Sequence, residues 1–147
     1  MPEIPVKWKL LDHPADIKIE VFGENLEKLF LNAGLALTFL LVGSIKHTAP
    51  KSEKTVTLES GDLDILLVDW LREILFYFDV EKFVLSNAVV TIEKVENYQL
   101  LKASLLGFVL PHSDELPDGM EIKGITYHDL FLDKNPDGFV ARVIFDV

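Results

Sequence analysis

The chain has 147 residues, 49% hydrophobic and 26% charged, enough to bury one core and too few to suggest two, so residues 1–147 are read as a single domain. Against 24 acidic residues stand only 14 basic ones, for a net charge of −10 and no Lys/Arg run, which disfavours strong direct binding to nucleic acid because phosphate neutralisation supplies most of that affinity. There is no cysteine, which excludes a disulfide framework and any thiolate metal site and leaves oxygen or imidazole donors for a metal.

In chain order, Ile17, Ile19 and Val21 alternate with Lys18 and Glu20, the period-2 pattern of a half-buried strand that closes at Gly23. Asn25 is placed to cap a helix whose apolar positions Leu29, Phe30, Ala33, Leu37, Leu40 and Leu41 recur at helical spacing until Gly43. After a loop with Pro50, "KTVTLES" alternates again, and Ser60 or Asp62 can cap a second amphipathic helix running through Leu63, Leu67, Trp70, Ile74 and Phe78. Beyond Val80 the chain reads as strands: "NAVVTIEKV", "YQLLKASLLGFVL", "MEIKGITYHDLFL" and "FVARVIFDV". "LPHSDELPDG" reads as an exposed loop and "KNPDG" as a hairpin turn. The order predicts an α+β fold, a two-layer sandwich of two helices on a largely antiparallel sheet. The longest apolar runs, such as "GLALTFLLVG", fall short of a bilayer span, and Met1 to Leu10 lacks the apolar stretch of a signal peptide, so a soluble cytoplasmic protein with no membrane association is expected.

Three places concentrate polar chemistry. In "DHPAD", Asp12 to Asp16, Pro14 favours a type I turn whose ends lie within about 7 Å, which would bring His13 and Asp16 together at the start of the first alternating strand. Such a group suits a metal or an acid–base pair; the competing reading is an Asx-turn in which Asp16 only bonds neighbouring amides. In the terminal "VIFDV", alternation puts Asp146 on the face of Ile144 and Val140, and Val147 adds a free carboxylate provided the chain stops there. Hard cations such as Ca²⁺ or Mg²⁺ take oxygen ligands of this kind. In "EIKGITYH", alternation groups Lys123 with Ile125 and Tyr127, so Lys123 either snorkels or aims a positive charge at a phosphate or carboxylate. His47 and His112 lie in loop-like stretches and carry no assigned role. The sequence has no G-x-x-x-x-G-K-[ST], G-x-G-x-x-G, G-x-S-x-G or H-E-x-x-H motif, which argues against a self-sufficient enzyme.

Taken in order, "DHPADIKIEVFGENLEKLF", "LLVDWLREILFYFD", "EIKGITYH" and the terminal "FDV" resemble the archease family across nearly the whole chain. The resemblance implies a small α+β accessory protein, not itself an enzyme, acting on the GTP-dependent tRNA-splicing RNA ligase. Its implied role is to promote ligase guanylylation and multiple turnover. It also implies a partnership with, or chaperoning of, a tRNA methyltransferase. Residue by residue, the family's H-T-A-D block falls on His13 to Asp16, its metal-binding aspartates on Asp16 and Asp146, and its functional lysine on Lys123. Val147 would complete a site for one divalent cation (Ca²⁺, Mg²⁺ or Mn²⁺), with His13 and Asp12 close by to orient the ligands. The sequence departs from the family pattern at Pro14, where threonine is usual, at Gly124, where alanine is usual, and at Phe108, where many relatives carry an acid after glycine. A stand-alone hydrolase using a metal-polarised water is the alternative from another class.

Overall fold

The computed structural model describes residues 7–11, 16–43, 52–110 and 119–147. Its elements run β1 (Trp8–Leu11), β2 (Ile17–Gly23), α1 (Leu26–Val42), β3 (Ser52–Ser60), α2 (Leu63–Glu81), β4 (Phe83–Val95), β5 (Tyr98–Val109), β6 (Gly124–Asn135) and β7 (Gly138–Asp146).

Local chemistry sets the helix ends. Extended Asn25 accepts a hydrogen bond from the Lys28 amide at 2.8 Å, satisfying one of the unpaired donors of the first turn of α1. Gly43, at φ 69°, ends that helix by donating its N–H to the Phe39 carbonyl at 2.7 Å. Asp62 takes the N-cap conformation of α2 without a side-chain cap bond, and Lys82 closes α2 in the left-handed region at φ 57°. Both helices begin where the sequence predicts.

The strands form an α+β arrangement in which every pairing is antiparallel, as expected, but they divide between two sheets. One has the order β1-β2-β7-β6 and the other β3-β5-β4. Both helices touch strands of both sheets. That explains why α1 buries Leu29, Phe30, Ala33, Ala36, Leu37 and Leu40 around most of its circumference instead of along one stripe. The two helices are tied by Trp70, fully buried, whose indole N–H donates to the Phe30 carbonyl at 2.8 Å. Gly34 permits the close approach: a Cβ there would lie 2.8 Å from Ile74 Cδ1. The "KNPDG" turn connects β6 to β7, and Gly138 adopts φ 143° where a Cβ would meet the Gly23 carbonyl oxygen at 2.3 Å.

In the four-stranded sheet, Ile19, Val21, Ala141, Val143 and Phe145 face the core. The alternate residues Lys18, Glu20, Arg142, Ile144 and Asp146 occupy the other face. β6 is less regular than alternation predicts. Between the Thr126–Ile144 and Phe131–Arg142 pairs, β7 uses only Val143 while β6 uses Tyr127 to Leu130, with Asp129 at φ 51°. This is an enlarged bulge. No described helix is long and apolar enough to cross a membrane.

Candidate functional site at one end of the four-stranded sheet

Asp146 is the last residue of β7 and pairs with Gly124, the first of β6. Just before that pair, the Lys123 amide donates to the Asp146 main-chain oxygen at 2.7 Å. On the other side of β7, β2 starts at Ile17 opposite Phe145, so Asp16, the residue just before β2, lies at the same end of the sheet. Asp16, Lys123 and Asp146, taken from three separate parts of the sequence, therefore meet at one end of one sheet.

Carboxylate and main-chain oxygens are the donors a hard cation takes, and Asp16 and Asp146 each bring a carboxylate to this end of the sheet. Among the described residues no group of three or more His, Cys, Asp or Glu side chains is arranged to hold a metal ion. Asp12, His13 and Pro14 lie outside the described residues. Gly124 has open space where a Cβ would stand, so the alanine of the family pattern would fit there without displacing a neighbour. Phe108 is half-buried on β5, paired in register with Val84 and packed against the core, a structural setting remote from Asp146 in the strand order.

Lys123 is exposed between two buried isoleucines, Ile122 and Ile125, so strict alternation fails at this point. The reason is that the strand starts only at Gly124, and the chain before it follows a different path. Arg72, which the sequence reading did not single out, shapes this region together with Tyr127. Arg72 of α2 donates through one guanidinium nitrogen to the Ile125 carbonyl at 2.9 Å and through the other to the Tyr127 hydroxyl at 2.8 Å, and lies 4.5 Å from the centre of the Tyr127 ring. No local pattern marks that pairing, which joins a helix to a bulge 55 residues away.

Farther along the same face, Glu20 is buried and shared between two cations: Arg142 Nε lies 2.8 Å from one carboxylate oxygen and Lys9 Nζ 3.2 Å from the other. Arg142 bonding, aided by Lys9 and outweighing the opposing effect of burial, lowers the Glu20 pKa below its ordinary value. Arg142 also stacks over Phe131, 5.2 Å from its ring centre. A cleft of about 420 Å³ is lined in part by Glu121 and Ile122, next to Lys123, and a second of about 720 Å³ by residues of β2, α1 and β7; neither includes Asp16, Lys123 or Asp146 in its walls.

Comparison with known proteins converges on one family. The model of the archease protein family (MTH1598/TM1083) matches residues 8–147. The chain is 39% identical to protein archease of Thermococcus kodakarensis over 142 residues, covering 96% of this chain and 99% of that protein. It is 36% identical to protein archease of Methanosarcina mazei over 148 residues, covering 100% of both. The solution structure of Methanobacterium thermoautotrophicum protein 1598 superposes with a TM-score of 0.81 at 28% identity, over 96% of this chain and 99% of that one. With the family model spanning the sheet end where Asp16, Lys123 and Asp146 meet, the chain belongs to the archease family.

Proposed function

We propose that this protein is an activator of the GTP-dependent tRNA-splicing RNA ligase, promoting ligase guanylylation and multiple turnover without being an enzyme itself. The observation that carries the reading is the meeting of Asp16, Asp146 and Lys123 at an open sheet end in a chain of this family. Asp16, Asp146 and the main-chain oxygen of Val147 would hold one divalent cation, whose charge would be available to phosphate oxygens at the junction of the two proteins. Lys123, exposed beside that point, presents an ammonium to a phosphate or carboxylate of the ligase active site. Its main-chain bond to Asp146 keeps the two residues side by side. The acidic surface leaves RNA binding to the ligase.

Single-turnover guanylylation and multiple-turnover ligation by the purified ligase, with and without this protein, test the reading. Stimulation of both is expected, and their absence overturns it. Phosphoester hydrolysis by this protein alone with divalent ions would favour the hydrolase alternative.

A further inference from the structure

Helix α2 carries an apolar ridge that the proposed site does not use. Arg72, Phe76 and Val80 stand at i, i+4 and i+8, on one side of the helix, and all are exposed, Phe76 at 56% and Val80 at 64%. At the near end of this row Tyr127, 46% exposed, stacks on Arg72. An exposed tyrosine is ordinarily free to turn; here the guanidinium holds its ring and its hydroxyl at once. The ordering cost of burying it against another protein is thus met in advance. Tyrosine, arginine and phenylalanine are also the side chains enriched where proteins meet.

The ridge leads directly to the functional edge. The same Arg72 that stacks on Tyr127 bonds the Ile125 carbonyl, and Ile125 pairs with Phe145, the neighbour of Asp146. The margins of the ridge are acidic. Asp69, Glu73 and Asp79 lie on α2 beside it, and among the described residues none of them is in an ion pair, whereas Glu81 is matched by Lys54 at 2.8 Å. A second copy of a chain with net charge −10 would bring like charge to this margin, so self-association is the poorer match.

We infer that the Tyr127–Phe76–Val80 ridge is the docking surface for the partner protein, and that the partner meets it with apolar side chains flanked by Lys and Arg. This rests on the activator reading, whose edge the ridge would bring into register with the partner's active site.

The experiment titrates a fixed amount of ligase with wild type, Phe76→Ser/Val80→Ser, Asp69→Asn/Glu73→Gln/Asp79→Asn, and Val89→Ser, the last removing an apolar side chain, 63% exposed, on β4 of the other sheet. Thermal melting checks that each variant is folded. The half-maximal concentration for stimulation should rise at least tenfold for the ridge variant and not for Val89→Ser. The acid-margin variant should also bind more weakly and lose most of the salt dependence seen with wild type. A ridge variant whose curve overlies wild type overturns the docking surface while the activator reading stands. Absence of stimulation by wild type overturns that reading and this inference together. A dimer in sedimentation that dissociates on Phe76→Ser/Val80→Ser would assign the ridge to a second copy and overturn the stated partner.

Discussion

The amide of Lys123 donates to the main-chain oxygen of Asp146 at 2.7 Å, which joins the chain before β6 to the end of β7. The side chain of Lys123 is exposed and its removal leaves that bond intact. Lys123→Met should therefore keep the melting temperature and the cation affinity while abolishing stimulation of guanylylation. Lys123→Arg should recover little, because a planar guanidinium does not replace a compact ammonium. Single-turnover guanylylation measured beside melting and metal titration checks this, and an active Lys123→Met removes the residue from the mechanism.

Asp16 immediately precedes β2 and Asp146 ends the neighbouring β7, at the same end of the sheet. Calorimetric titration with Ca²⁺, Mg²⁺ and Mn²⁺ should find one site, weakened at least tenfold by Asp16→Ala or by Asp146→Ala. Affinity should decline on acidification, since a carboxylate must lose its proton to coordinate. Wild-type affinity in both variants would show that the cation is held elsewhere.

How much of this was legible beforehand depends on whether the signal was local. Asn25 and Gly43 announce the ends of α1 because capping is chemistry within a few residues. The carboxylates and Lys123 stood out by type and position, and the family resemblance joined them. The four residues of β1, "WKLL", carry no alternation; they form a strand because β2 pairs with them. The bulge at Tyr127 to Leu130 is likewise invisible to a period-2 pattern, since nothing in "TYHDLF" says that β7 advances by one residue where β6 advances by four. Arg72 reads as an ordinary exposed helix position until α2 is laid beside that bulge. Division of the strands between two sheets is also non-local, decided by which hairpins each helix face covers.

Glu20 supplies a pH dependence whose sign follows from its lowered pKa. In the unfolded chain its carboxyl titrates near the ordinary 4.5, and in the fold it stays ionised to lower pH. The stabilisation is present above the unfolded value and disappears as pH falls through the folded one. At pH 7, Arg142→Met should cost about 1–3 kcal/mol, because a buried carboxylate loses a charged hydrogen-bond donor and keeps only Lys9. Urea unfolding across pH 2–7 should show the stability of wild type and Glu20→Gln drawing together at the acid end, which fixes the range on the order of these pKa values.

Trp70 tests the join between the helices. Trp70→Phe loses the bond to the Phe30 carbonyl and part of a buried ring, so a loss of about 2 kcal/mol is expected from the two effects. Equilibrium denaturation measures it. Because Trp70 is fully buried and the Lys123 side chain is exposed, stimulation at a temperature well below the midpoint should be retained.

The strand order β1-β2-β7-β6 has a consequence for how the molecule is made. β7, the last strand in the chain, lies between β2, near the beginning, and β6. Glu20 and Arg142, which lock the two together, are separated by 122 residues. A ribosome can expose α1, β3, α2, β4 and β5 early, and the β3-β5-β4 sheet can pair during synthesis, but β2 keeps an open edge until β7 emerges. A chain interrupted before β7 would lack both the middle of that sheet and the Asp146 end, leaving core residues such as Ile19 and Val21 uncovered. A product without β7 would thus leave β6 unpaired and one edge of β2 open to proteases, and would lack the Asp146 end of the sheet although the α2 ridge had already been made.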